Sequence, residues 1–186
     1  MELSFTLDYS KQVKVLYTKV GISEAFPAGS AEVVQPDPEQ LNAIWDTGAT
    51  GSAITPEVVK ALNLRPSGMC TISGVYGAKD TNTYLVNLFL PNKAVIPNIR
   101  VSEVDKLAGD FGVLIGMDII GQGDFAVSNV DNKTVITFRL PSKKRFDFVA
   151  ESQKFASKQE RRTSEKKAQK QMRKKIQARI SRRGNR

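Results

Sequence analysis

Ala43-Ile44-Trp45-Asp46-Thr47-Gly48-Ala49-Thr50-Gly51-Ser52-Ala53-Ile54-Thr55 is the stretch on which the reading of this chain turns. An apolar run, Ala43 to Trp45, stops at a single acid, Asp46. Small or hydroxyl-bearing residues follow from Thr47 to Ser52, and apolar residues return at Ala53-Ile54. Thr55-Pro56 has the form of a helix start, with threonine as N-cap and proline at the first helical position. The pattern predicts strand, tight loop, short strand and helix, with the loop presenting a carboxylate. Gly48 and Gly51 let the backbone approach other groups closely. Taken alone, Asp-Thr-Gly is also what an ordinary surface turn contains, so the weight must come from the rest of the chain.

Working outward, the flanks read mostly as strands. Leu3, Phe5 and Leu7 alternate with polar residues, and Val13, Val15 and Tyr17 do the same, the period of a half-buried strand. Prolines and Gly29 make residues 27–40 a surface loop, and Leu41 to Asp46 is the central strand. A short helix is expected from Pro56 to Leu62. Met69 to Gly77 and Thr81 to Leu90 read as a hairpin whose connection holds Gly74-Val75-Tyr76-Gly77. That connection is either a mobile projecting tip or a plain glycine-containing turn. Ala94 to Val104 is a further strand around Pro97. At Val113-Leu114-Ile115-Gly116 an apolar strand stops at a glycine and runs into a short apolar helix. Asp124 to Val130 and Thr134 to Leu140 form a last hairpin. With strands dominating and turn signals throughout, the expected class is all-β, a barrel or a sandwich.

Composition excludes several chemistries. The 186 residues contain no histidine and one cysteine, which removes Ser-His and Cys-His nucleophilic pairs, histidine metal sites, internal disulfides and cysteine zinc clusters. Cys70 is expected as a small buried hydrophobe. No signal peptide is legible at the start, and no apolar stretch approaches the roughly 20 residues of a membrane span. The expectation is a cytoplasmic protein. The formal net charge of +9 conceals two regions. Residues 142–186 hold 17 of the 28 Lys/Arg and 4 of the 19 Asp/Glu, a net +13, which leaves −4 for residues 1–141. Residues 1–141 are therefore read as the folded domain and 142–186 as a basic, partly helical, mostly solvated extension.

The Asp46-Thr47-Gly48-Ala49 loop, the glycine-bounded hairpin tip at 74–77 and the Leu114-Ile115-Gly116 strand end occur in this order. Together they resemble the retropepsin-like aspartic proteases, over roughly residues 3–140, with small prokaryotic or phage-borne members the most similar. The resemblance implies a retropepsin-like closed β-barrel with one or two short helices, and neither cofactor nor metal. It implies Asp46 as the catalytic aspartate, Thr47 as a residue bridging two active-site loops and Gly48 as the one that lets them approach. It further implies substrate binding by a flap containing Ser73, Gly74, Val75, Tyr76 and Gly77, and by apolar residues Ile44, Ile54 and Ile115. Gly116 would lie beside the Asp46 loop, and Asp118 would be a helix cap or surface pair.

Hydrolysis by this route needs two carboxylates a few Å apart, one ionised to take a proton from water and one protonated to donate to the carbonyl oxygen. Two charges about 3 Å apart at an effective dielectric near 20 repel by roughly 5 kcal/mol, so such a pair shares one proton. The chain holds one Asp-Thr-Gly, so a homodimer is expected, with a mate's Asp46 across a two-fold axis. Ala49 cannot donate a side-chain hydrogen bond to the carboxylate, which predicts a mildly acidic to near-neutral optimum. The substrate is expected to be a protein or peptide bound as an added strand, with apolar residues flanking the cut bond. The alternative is a non-catalytic dimerisation or peptide-binding module of the same fold. In either case residues 150–186 dock on nucleic acid or another acidic surface, touch anionic membrane, or serve as a solubilising extension.

Overall fold

The computed structural model describes residues 3–25, 37–74 and 77–183. Most of the loop expected at 27–40, and the flap residues Val75 and Tyr76, lie outside the described residues. Two compact units are present, Met1–Lys143 and Lys144–Arg186.

The first unit contains ten described strands: β1 Leu3–Asp8, β2 Tyr17–Glu24, β3 Glu39–Trp45, β4 Ala53–Ile54, β5 Gly68–Gly74, β6 Gly77–Phe89, β7 Val95–Glu103, β8 Val113–Ile115, β9 Asp124–Ser128 and β10 Val135–Leu140. Two short helices interrupt them, α1 Pro56–Ala61 and α2 Met117–Ile120, together with a 3-10 turn at Val130–Asn132. The class is mostly β, as the strand periods indicate.

The strands form two sheets. The smaller is antiparallel in the order β1-β10-β9, with Leu3 opposite Leu140 and Asp8 opposite Val135. The larger runs β2-β3-β8-β4-β7-β6-β5, and β6 also pairs with β2, so the ladder of pairings returns to its starting strand. β5 extends from that ring as the outer arm of a hairpin with β6. At the centre lies β8, three apolar residues parallel to β3 on one side and antiparallel to β4 on the other. A strand bonded on both edges reads as an unbroken apolar run, which is why Val113–Ile115 shows no alternation.

Ile22, Ile54, Val86, Ile115, Ile136 and Phe138 have no exposed surface. Burying each such side chain contributes about 1.5–3 kcal/mol, against about 0.5–1.5 kcal/mol net for one hydrogen bond. The apolar centre therefore sets the stability, and the polar network described below sets the geometry. Trp45, at the end of β3, stacks on Phe125 at 5.4 Å with 7° between the ring planes and tilts against Phe138 at 5.1 Å. Its indole N–H donates to Thr18 Oγ1 at 3.0 Å. The residue before Asp46 is thus fixed by both sheets.

Two sequence expectations are corrected. Val13 lies in irregular backbone and Val15 in a bend, not in a strand. The backbone there bonds to side chains: the Val13 N–H donates to Thr134 Oγ1, and the Tyr17 N–H donates to the Tyr9 hydroxyl. Residues 77–80, expected in the hairpin connection, belong to β6, since pairing with β5 continues to Gly74 opposite Gly77. Gly77 sits at φ +107°, a backbone conformation that favours glycine.

The second unit contains α3, Phe148–Arg183. It is one continuous helix, longer than the partly helical tail expected. Its side chains described from Glu151 to Arg173 are all exposed. Among the described residues no helix is long and apolar enough to cross a membrane.

Candidate active site

The loop after β3 is built by backbone bonds before any side chain acts. The Asp46 N–H donates to the Ile115 carbonyl at 2.9 Å, extending the parallel β3–β8 pairing by one residue. The Ala49 N–H donates to the Asp46 carbonyl at 3.2 Å, closing a tight turn. The first amides of α2 then bond to the loop. Met117 N–H donates to the Ala49 carbonyl at 2.8 Å and Asp118 N–H to the Thr50 carbonyl at 3.2 Å. A helix leaves its first N–H groups without internal partners, and here two of them hold the loop.

Gly116 makes this junction sterically feasible. A β-carbon there would stand 2.6 Å from the carbonyl carbon and oxygen of Gly51 and 3.0 Å from the Ala49 oxygen. The strand-end glycine is therefore required by the close approach of loop and β8.

Side chains complete the frame. Asp118 accepts from Ser52 N–H at 3.0 Å, from Ser52 Oγ–H at 2.8 Å and from the Ile119 N–H at 3.0 Å. Ser52 Oγ in turn accepts from the Gly116 N–H at 3.1 Å, and Ser52 is 2 % exposed. Asp118, the second residue of α2, is not the helix cap expected, since Gly116 holds that position without a side-chain bond; it is the tie between α2 and the far end of the loop. Ser52 was missed in the sequence, because a hydroxyl and an acid 66 positions apart leave no local spacing to read.

Within this frame Asp46 is half-buried and its Oδ1 accepts from the Gly48 N–H at 2.8 Å. A β-carbon on Gly48 would meet that same oxygen at 3.2 Å. Thr47 is exposed. The carboxylate is therefore oriented by one backbone donor while keeping solvent access, which a group handling a water molecule requires.

Beside the loop lies a cleft of about 600 Å³. One wall is Gly48 to Ala53; the other is β5, including Cys70, Ile72, Ser73 and Gly74. The structure thus brings Ser73 and Gly74 together with Gly48 across one space. Gly77 is exposed on β6 and is not among the lining residues. Ile44 is half-buried in β3, opposite Leu114.

Two substrate-contact expectations do not hold for the single chain. Ile54 and Ile115 have no exposed surface and belong to the core, because β8 is covered by strands on both edges. They lie beneath the loop and offer nothing for a ligand to touch.

Several lining residues were missed. In β5, Cys70 and Ile72 are half-buried while Met69, Thr71 and Ser73 are exposed, an alternation that points the first pair inward. Cys70 is thus a lining residue of the cleft, not the buried hydrophobe expected. In β7, Arg100 and Ser102 alternate with Ile99 and Val101, and both line the same cleft. A separate concavity of about 680 Å³, between α1 and residues 105–112, includes no residue of the Asp46 loop. Among the described residues, no three His, Cys, Asp or Glu side chains are grouped so as to hold a metal ion.

Comparison with known proteins adds to this geometry. Residues 33–119 match the model of the aspartyl protease family. No curated protein matches the chain. Among solved structures, the chain is similar to a retropepsin-like aspartic protease from Rickettsia conorii, at 13% identity and a TM-score of 0.47, over 75% of this chain and 96% of that one. It is similar to the EIAV protease in complex with an inhibitor, at 24% identity and a TM-score of 0.43, over 58% of this chain and 86% of that one. It is also similar to the retroviral protease-like domain of Ddi1 from Leishmania major, at 15% identity and a TM-score of 0.40, over 73% and 99% of the two chains.

Proposed function

We propose that this chain is a homodimeric, retropepsin-like aspartic endopeptidase, a reading supported by the match of residues 33–119 to the aspartyl protease family. Water held between two Asp46 carboxylates, one from each subunit, attacks the peptide carbonyl directly. The ionised carboxylate takes the proton from water, and the protonated one donates to the carbonyl oxygen; no acyl-enzyme forms. The observation that carries this reading is the half-buried, solvent-accessible Asp46 carboxylate, oriented by Gly48 N–H at 2.8 Å in a loop bonded to both β8 and α2.

A single Asp-Thr-Gly in the sequence supports the dimer, since the chemistry needs a second acid and no second copy of the loop exists to supply it. Thr47 is assigned to hydrogen bonding between the two loops and Gly48 to their close approach. Ser73 and Gly74, with Val75, Tyr76 and Gly77 beyond them, are assigned to a flap closing over an extended peptide, and Ile44 to the apolar surroundings of the cut bond. The returning ladder of pairings supports a closed barrel as the rigid frame for the loop.

The test is Asp46→Asn assayed for peptide cleavage beside sedimentation of the same protein. Loss of a group that handles the reacting proton is expected to lower kcat by about 10³-fold or more, with dimerisation retained. Wild-type activity is expected to rise with concentration as dimer forms. A wild type that dimerises yet cleaves nothing across a broad peptide library would remove the catalytic reading.

The exposed basic α3 favours a second activity for the same molecule, binding to nucleic acid through phosphate contacts. Its cations supply sequence-independent, salt-sensitive affinity, and this holds for a catalytic or a non-catalytic dimer alike.

A further inference from the structure

We infer that Arg100 makes the cleft beside the Asp46 loop a subsite for an acidic side chain of the bound peptide. The inference rests on the peptide-binding reading above and narrows it from protein or peptide to peptides carrying Glu or Asp at a defined position. Arg100 is the one charged residue among those lining the cleft. The rest of the lining is glycine, small hydroxyl-bearing and apolar side chains, including Ser73, Thr83, Ser102 and Leu114.

The placement of Arg100 follows from β7. Val101 points into the core at 2 % exposure, so Arg100 and Ser102 share the opposite face. Ser102 lies across from Thr83 and Arg100 across from Leu85 on β6. The neighbouring cation on the hairpin behaves differently: Lys79 is held by Asp105 at 2.6 Å. Among the described residues the Arg100 guanidinium has no hydrogen-bond or ion-pair partner. A planar fork of donors suits a carboxylate, which it can engage through two parallel hydrogen bonds. In a two-fold dimer the cation occurs twice, once for each side of the cut bond.

The apolar preference expected for residues flanking the cut is unaffected, since Arg100 belongs to the cleft and not to the Asp46 loop. The structure therefore points to a mixed specificity, apolar at the reacting bond and acidic further along.

The experiment scans Glu, Gln and Lys at each position of a fluorogenic peptide set. Cleavage is measured with the wild type, Arg100→Glu and Arg100→Gln, and binding of the same peptides is measured on Asp46→Asn. Circular dichroism checks that each variant folds. The wild type is expected to favour Glu over Gln by about five-fold at one or more positions, the scale of a solvent-accessible ion pair. The preference should shrink at high salt, vanish in Arg100→Gln, and turn toward Lys in Arg100→Glu. Cleavage indifferent to Glu or Gln at every position overturns the inference and leaves the protease reading standing. A preference unchanged in Arg100→Glu overturns it too. Absence of cleavage with Glu-selective binding sinks the protease reading and sustains this one; absence of both sinks both.

Discussion

A β-carbon at position 116 would collide with backbone atoms on two sides, Gly51 and Ala49, and backbone cannot swing aside as a long side chain can. Gly116→Ala is expected to destabilise the first unit by about 3 kcal/mol, the upper end of ordinary overpacking costs, and to lower peptide cleavage with it. Urea denaturation beside the cleavage assay measures both, and an alanine variant of unchanged stability would contradict the close approach. At this scale the sequence was legible where residue type has one use. A glycine ending an apolar run and an acid opening a glycine-rich loop both announced themselves. Ser52 and Asp118 did not, since serine and aspartate serve many purposes and their pairing exists only once α2 packs on the loop. Arg100 was silent for a similar reason: a cation on a strand declares its face only when the neighbouring strands are known.

Between elements, Tyr9 shows how a side chain can replace a ladder. Its hydroxyl donates to the Tyr17 carbonyl at 2.6 Å and accepts from the Tyr17 N–H at 2.8 Å, holding the start of β2 next to the end of β1. Tyr9→Phe leaves both backbone groups without that partner and is expected to cost about 1–3 kcal/mol in chemical denaturation. Burial raises the Tyr9 pKa above its usual value, because the low-dielectric surroundings disfavour the tyrosinate. The folded state therefore holds its proton to higher pH than the unfolded chain. That contribution is fully present below about pH 10, the unperturbed tyrosine value, and is lost as pH rises through the raised folded value. The phenylalanine variant should lack this alkaline component. The same region explains a misread strand. Val13, Val15 and Tyr17 alternate correctly, yet the Val13 and Tyr17 N–H groups bond to the Thr134 and Tyr9 side chains, and no ladder forms before Tyr17. Hairpins such as β5–β6 and β9–β10 were legible because partner strands are adjacent in the chain. The parallel pairs β3–β8 and β4–β7 join distant segments, and nothing in alternation reveals a partner that far away.

For the whole molecule, the charge imbalance coincides with a change of architecture. Residues 1–141 carry −4 and residues 142–186 carry +13, and the compact units divide between Lys143 and Lys144. Removal of residues 144–186 is expected to leave thermal unfolding of the first unit and peptide cleavage unchanged. The same truncation should abolish the steep dependence of duplex DNA binding on salt that a polycation shows. Titrations of both proteins across a salt series check this, and equal slopes would remove the phosphate-contact reading of α3.

The order of the strands also ties assembly to synthesis. β1 has its pairing partner in β10, so once made it waits for residues up to Leu140, roughly 7–27 s at translation speeds of about 5–20 residues per second. The loop bearing Asp46 likewise stands without the floor of β8 until Ile115 has been added. A nascent chain therefore carries its carboxylate long before it carries the frame that aims it. Ribosome-bound intermediates ending before residue 115 lack a built site, whatever their number on one message.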